Sequence, residues 1–281
     1  LKKATRTIRI VFLDVTDPVA AGLVDSLARP GGNITGFSSI EAVLAGKRLE
    51  LLKETVSKLS RVAVLWDPRN PGSTQEWKES QRAARELGLQ LHSMEVSSAD
   101  KYEDAFKGAI RARSGGLAVL SNPLASSNQE EITELAARNR LPAIYVQGNF
   151  VTDGGLMSYG PDRTERYRRA AVFVDKILKG AKPAELPVEG PEKFELALNM
   201  KTAKSLGVGI LSSLVTRAVD PDSKQAELKA SAVRVEPYAG GKAIALVDEA
   251  SALLEQLGDE AVVYSGGTEL LLVMKMGLAE Y

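Results

Sequence analysis

Short apolar runs alternate with amphipathic stretches from residue 8 to about residue 180. This is the rhythm of crossover units that lay down a parallel sheet with helices against it. Residues 8–13, 33–37, 61–66, 89–96, 116–120, 143–146 and 156–159 read as strands. Most are continuously apolar, as expected where helices cover both faces of a sheet. The helices carry their own start signals: Ser73-Thr74-Gln75-Glu76 and Ser127-Asn128-Gln129-Glu130 read as capping boxes, with Asp162-Arg163-Thr164-Glu165 a variant. Leu49, Leu52, Val56 and Leu59 form one helical stripe; Tyr102, Phe106 and Ile110 form a second, and Tyr167, Ala171, Val174 and Leu178 a third. Such stripes predict core. Gly88 and Gly180 stand where helix C-caps are expected.

The alternation fades after Gly190. Residues 194–198 read as one more strand and 202–206 as one more helix, and the polar run Asp220 to Gln225 reads as a linker. From Val235 a separate segment is expected, with a helix over about 247–257, a strand at 261–264, a Gly-Gly turn and a second helix from Thr268.

Composition narrows the function. A length of 281 residues suggests about two domains. The 36 basic side chains cancel the 36 acidic ones, so no net positive field recruits nucleic acid or an anionic membrane. With no Cys and one His, disulfide frameworks, thiolate zinc sites and any metal centre needing two imidazoles are excluded; no metal site is predicted. The missing Cys fits a cytosolic and a disulfide-free exported protein equally. No apolar run approaches membrane-spanning length. The start at Leu1 is expected to be a cut end, since it is neither a Met nor a signal peptide.

In an open α/β sheet a ligand binds beyond the carboxyl ends of the strands. The loops at those ends are polar: Asp14 to Pro18, Asp67 to Ser73, Ser121 to Pro123, and Gln147 to Asn149. Asp17 before Pro18 and Ser73 before Thr74 each combine a cap with an exposed helix N-terminus, a seat for a ligand carboxylate. Together with Trp66, Phe150 and Tyr159, these loops suit a small zwitterion with an apolar side chain. Asp17, Ser38, Asn70, Ser73, Asn122, Gln147 and Tyr159 are the candidate ligand contacts. Taken one at a time, the Asp-Pro, Asn-Pro and Pro-Gly pairs are equally well explained as turn chemistry.

Catalytic readings find no support. His92 lies mid-strand, away from any loop end where a catalytic base would stand. No Gly-x-Ser-x-Gly elbow occurs. The stretch Gly207 to Ser212 lacks the third glycine of a dinucleotide fingerprint, and Gly240-Gly241-Lys242 lacks the remainder of a P-loop. Glu130, Glu131 and Asp175 are read as solvated charge on helix faces.

Residues 1 to about 222 resemble the extracytoplasmic substrate-binding proteins of ABC transporters. The resemblance is carried, in order, by Ala4 to Phe12, Asp17-Pro18-Val19, Ser26 to Phe37, Lys47 to Glu54, Arg61 to Leu65, Ser158 to Asp162, Tyr167 to Ala171, and Ile177 to Gly180. It implies an α/β fold like that of periplasmic binding proteins, with parallel sheets flanked by helices in two lobes. It also implies a small amino-acid-like solute in the cleft, a transporter permease as partner, an extracytoplasmic location and no catalysis. Members of that family carry an export signal and further strands ahead of the equivalent of Ala4. The expectation is therefore one complete lobe at 61–161, an incomplete lobe from 1–60 and 162–222 with unpaired sheet edges, a linker at 223–234, and a small C-terminal α/β fragment at 235–281. In this division the helix near residues 46–56 and the segment 167–206 belong to the incomplete lobe.

That last fragment resembles the start of the FAD-binding medium subunit of molybdenum hydroxylases. The resemblance is carried by Pro237-Tyr238, Asp248-Glu249-Ala250, Gly258 to Ala261, and Ser265-Gly266-Gly267-Thr268-Glu269. It implies that Ser265, Gly266, Gly267, Thr268 and Glu269 would contact the FAD pyrophosphate. Three readings stay open: a solute-binding module without catalysis, a flavoprotein fragment, and two truncated pieces joined without a selected activity.

Overall fold

The computed structural model describes residues 5–15, 17–39, 41–212, 214–215, 261–266 and 269–274. In chain order the strands and helices are β1 (Arg9–Val15), β2 (Ile34–Ser38), α1 (Glu41–Thr55), β3 (Arg61–Trp66), α2 (Pro71–Glu86), β4 (Gln90–Glu95), α3 (Tyr102–Arg111), β5 (Gly116–Val119), α4 (Pro123–Ser127), α5 (Gln129–Arg138), β6 (Ala143–Tyr145), α6 (Gly148–Thr152), β7 (Met157–Pro161), α7 (Arg163–Leu178), β8 (Phe194–Leu198), α8 (Met200–Leu206), β9 (Ala261–Gly266) and β10 (Glu269–Met274). The α/β class expected from the alternation is the observed one. The described residues fall into two compact units: one takes the chain up to Ile40, Asp162–Lys193 and the two C-terminal strands, the other Glu41–Pro161 and the stretch beginning at Phe194.

The larger unit holds a six-stranded sheet in the order β4-β3-β5-β6-β7-β8. Its first five strands are parallel, and β8 runs antiparallel to β7. Both faces are covered, which is why the strands are apolar on both sides. On one face Leu49, Leu51 and Leu52 of α1 and Ala84 of α2 pack on Val62, Val64, Ala118 and Ile144. On the other, Tyr102, Phe106 and Ala109 of α3 and Ile132, Leu135 and Ala136 of α5 pack on Ala63, Leu65, Leu117 and Val119. Full burial of such a side chain contributes roughly 1.5–3 kcal/mol before entropy is counted.

Two assignments from the sequence need correcting. The helix near residues 46–56 and the segment 194–206 were expected in the incomplete lobe, yet α1, β8 and α8 belong to the larger unit. The reason is packing: the apolar stripe of α1 is matched by the face of this sheet, and Leu196 and Ala203 join the same core.

In the smaller unit the sheet order is β2-β1-β10-β9, with β1 parallel to β2 and antiparallel to β10. Alternation along β1 feeds two cores: Val11 and Leu13 pack with Phe37, Phe173, Val174 and Ile177, whereas Ile10 and Phe12 pack with Val24, Ile34 and Val188. At Gly36, φ is +153° and an added Cβ would lie 2.0 Å from the Phe12 carbonyl oxygen, so only glycine fits. The edge of β1 expected to be unpaired is occupied by β10, from Arg9 opposite Met274 to Phe12 opposite Leu271. Residues 269–274, expected as the start of a helix from Thr268, are strand. A short run such as Leu270-Leu271-Leu272-Val273 carries no period that separates helix from strand, and here an open sheet edge decides. The expected helix at 247–257 lies outside the described residues.

Candidate functional site

Chain direction across the larger sheet locates a crevice. The connection from β3 through α2 leads to β4 on one side, whereas β5 lies on the other side of β3. The strand order therefore reverses between β3 and β5, and the loops leaving their carboxyl ends part there. Ligands of open α/β sheets bind at such a switch point. The two loops are Asp67 to Asn70 and Ser121 to Asn122.

Each loop is built to hold a fixed shape. Asn70 caps α2, its side chain accepting the Ser73 N–H at 2.8 Å, with Pro71 as the first helical residue. The capping box expected at Ser73 thus begins three residues earlier. Ser73 is fully buried, and its hydroxyl accepts the Asp67 N–H at 3.2 Å. Asp67 in turn binds Arg69 through both the guanidinium and the backbone N–H, and the Arg69 hydrogen bond holds its carboxyl below the usual range. Asn122 is buried, accepting the Ala125 N–H at 2.7 Å and donating to the Leu120 carbonyl at 3.1 Å. Of the candidate contacts in this unit, Ser73 and Asn122 therefore brace their loops, and Asn70, Gln147 and Tyr159 are half-buried. Gln147 precedes α6 without capping it. The Tyr159 ring stacks on Phe194 at 6.2 Å.

Trp66 ends β3 beside the first loop, its ring stacked on Trp77 and its Nε1–H donated to the Ser93 hydroxyl at 2.8 Å. Phe150 is buried against Tyr145 and belongs to the core. The buried Tyr102 and Tyr145 hydroxyls have no hydrogen-bond partner. Burial pushes the Tyr102 phenol up, helped by Glu131 and Asp67.

The residue that sequence reading missed is Arg48. It is 2% exposed. Its Nη1 reaches Glu76 at 2.5 Å, its Nη2 pairs with Glu41, and its Nε–H is donated to the Tyr159 carbonyl at 2.7 Å. The second Glu76 oxygen accepts the Ser121 N–H at 2.8 Å. Burial pushes the Glu76 carboxyl up, to about 8, with Arg48 pulling the other way and Glu41 adding to the rise. In the sequence, Arg48 within Lys47-Arg48-Leu49-Glu50 looks like surface charge. Its phase among the buried Leu44, Leu51 and Leu52 was the available signal.

In the smaller unit the carboxyl ends of β1 and β2 carry the other two candidates. Asp17 is exposed, and its carboxylate accepts the Ala20 N–H at 2.8 Å. Residues 18–23 form turns, so the helix N-terminus expected after Pro18 is replaced by a capped turn. Ser38 is buried, and both its N–H and its hydroxyl go to the Glu189 carbonyl. Beside it lies a small crevice of about 10 Å³ lined by Phe37, Asp162, Arg169 and Gly190 among others. There Arg169 sits 5.4 Å from the Phe37 ring centroid and pairs with Glu189 and Glu192. Asp14, at φ +64°, occupies the bulge that ends β1, a conformation that Asp tolerates better than most residues.

Of the C-terminal residues assigned to a pyrophosphate, Ser265, Gly266 and Glu269 are described. Ser265 and Gly266 are strand residues of β9, paired with Leu270 and Glu269 of β10. Their backbone lies in a sheet ladder rather than at the start of a helix. Gly267 and Thr268 lie outside the described residues.

A family model for ABC transporter substrate binding proteins matches residues 1–221. The chain belongs to that family. Its members bind substrates for transport and are not enzymes. Among curated relatives, a tyrosine-binding protein of Clostridioides difficile (strain R20291) is 27% identical over 210 residues, covering 75% of this chain and 60% of its own length. The chain thus spans 60% of the length of that relative. Among solved structures, an ABC domain from Streptococcus pneumonia in complex with L-Trp has a TM-score of 0.70 at 25% identity, covering 78% of this chain and 75% of that one. A conserved domain protein from Vibrio cholerae O1 biovar El Tor has a TM-score of 0.71 at 28% identity, covering 77% and 72%. The match supports the periplasmic-binding-protein-like fold. Among the described residues no helix is long and apolar enough to cross a membrane.

Proposed function

We propose that this chain binds an amino acid with an apolar or aromatic side chain and presents it to the permease of an ABC importer, outside the cytoplasm, without chemical change. The observation that carries the reading is the switch point between β3 and β5, where the Asn70-capped start of the 16-residue α2 and the Ser121 loop leave the carboxyl ends of neighbouring strands. A helix start favours the carboxylate of a zwitterion. Tyr159 offers an aromatic surface, and Asn70 and Gln147 offer amide groups for the ammonium and carboxylate. The bound solutes named for the Streptococcus structure and the Clostridioides relative, L-Trp and tyrosine, support an aromatic amino acid here. In the smaller unit Asp17 stands beyond the end of β1 and Ser38 at the end of β2.

Calorimetric titration of the purified chain with L-tyrosine, L-tryptophan, L-leucine and FAD tests the reading. Saturable 1:1 binding of one of the amino acids, with a thermal midpoint that rises with its concentration, is the expected result. Heat from FAD alone, or from none of the four, would overturn it.

A further inference from the structure

The Arg48 cluster is larger than the fold requires. An apolar plug would seal the space between α1, α2 and the sheet, and buried ion pairs commonly contribute less stability than apolar side chains of the same volume. Three backbone groups, the Glu41 and Tyr159 carbonyls and the Ser121 N–H, instead converge on the Arg48 guanidinium and the Glu76 carboxylate. Glu41 is the first residue of the larger unit, and Tyr159 stands two residues before Pro161, where the chain leaves it. Ser121 opens the loop at the switch point, and Glu76 lies in the second turn of α2, whose first turn Asn70 caps. Arg48 contacts the Glu41 side chain and carbonyl, the Tyr159 carbonyl and Glu76, and Glu76 passes the connection to the Ser121 N–H. At Gly160 an added Cβ would fall 2.2 Å from the Val146 carbonyl oxygen, so β7 is pressed against the end of β6 beside this cluster.

We infer that Glu76 and Arg48 are positioning residues for solute binding: they set the Ser121 loop from inside the sheet and tie it to Glu41, where the chain first enters the unit, and to Tyr159, just before it first leaves. Neither touches the solute; Glu76 is wholly buried and Arg48 nearly so. The inference rests on the solute reading given above. Its chemistry is specific. Ser121 needs an acceptor behind the loop, and Arg48 needs a carboxylate between its fork and that acceptor. Glu76→Gln presents one acceptor and one NH2 group, so either the Ser121 N–H or the guanidinium faces a donor. Arg48→Lys keeps a cation but loses the fork that spans Glu41, Glu76 and Tyr159.

The test compares wild type, Glu76→Gln, Arg48→Lys and Ser80→Ala. Ser80 is buried one turn along α2 and donates to the Glu76 carbonyl at 2.8 Å, so its loss destabilises the helix without touching the loop. Calorimetry with L-tyrosine and L-tryptophan is run well below every midpoint, and amide hydrogen exchange is followed over residues 117–124. Glu76→Gln and Arg48→Lys are expected to weaken binding at least tenfold and to speed exchange at Ser121, while Ser80→Ala lowers the midpoint with affinity unchanged. Unchanged affinity in a folded Glu76→Gln or Arg48→Lys variant, or affinity loss in Ser80→Ala proportional to its midpoint, would overturn the inference and leave the solute reading standing. Absence of binding in wild type would overturn both. Should Glu76→Gln not fold, Arg48→Lys decides alone.

Discussion

Trp66 and Trp77 stack with ring centroids 5.5 Å apart and planes 13° from parallel. They are the two tryptophans of the sequence, both in the larger unit, and Trp66 immediately precedes Asp67 at the switch point. Trp66 is 7% exposed and Trp77 half-buried. Trp66→Phe, which leaves Trp77, should therefore emit further to the red than Trp77→Phe, which leaves Trp66. Emission spectra of the two folded variants check this; the opposite order would mean that the indole at the end of β3 is the wetter one. Trp66→Phe also loses the bond to Ser93 and should cost about 1 kcal/mol in a denaturant titration.

Close backbone approach makes a second prediction. An added Cβ at Gly36 or Gly160 would meet a carbonyl oxygen at 2.0 or 2.2 Å, and at Gly36 the backbone is also in a region that other residues avoid. Gly36→Ala and Gly160→Ala should each cost on the order of 1–3 kcal/mol. Gly148, at the start of α6, has nothing within 4 Å of its added Cβ. Gly148→Ala should change stability by less than about 0.5 kcal/mol. Urea midpoints of the three variants give the comparison.

A third prediction concerns pH. Because burial raises the Glu76 carboxyl above its ordinary 4.5, to about 8, against the pull of Arg48 and Ser121, keeping it ionised as their shared acceptor costs more in the folded chain than in the unfolded one. The carboxyl's contribution to stability is complete below the ordinary carboxylate range and is lost as pH rises towards 8. The loss proceeds at up to about 1.4 kcal/mol per pH unit, the limit for one proton. The sequence has one His, so few other side chains change charge in that window. Chemical denaturation at pH 5, 6, 7 and 8 should show falling stability in wild type and a flatter profile in Glu76→Gln. Equal slopes would assign the pH dependence elsewhere. Asp67 acts in the opposite sense: Arg69 lowers its carboxyl, so its contribution is lost at acid pH, below this window.

How much of this was readable beforehand differs from place to place. The strand at 194–198 coincides with β8, and 61–66 coincides with β3. At 194–198 the alternation of Phe194, Leu196 and Leu198 with Glu195 and Ala197 carries the two-residue period of a strand, and at 61–66 the β-branched Val62 and Val64 favour one. Asn70 and Asn122 were read as ligand contacts or turn residues, whereas both are helix caps, the role that an Asn followed by Pro at the first helical position favours. Their neighbour Ser73 was read as the cap because a Ser-x-x-Glu pattern also fits a capping box. Glu76 had a second use that no local pattern records, a bond to Arg48 of another helix.

The order of apolar and polar residues by itself determined the α/β class, the succession of strands and helices through residue 206, and the polarity of the loops at the strand ends. These depend on periods of two and 3.6 residues and on caps, all local in the chain. Which strands are neighbours, and hence where the order reverses to open a crevice, was decided by tertiary packing. So was the membership of α1 in the larger unit. The pairing of residues 269–274 with β1 as a strand rather than a helix was decided by an open sheet edge far earlier in the chain, with Leu271 opposite Phe12. Above all, the Arg48–Glu76–Ser121 connection joins residues 28 and 45 positions apart. A buried charge is stable only where its partners converge in space, and spacing along the chain does not encode that convergence.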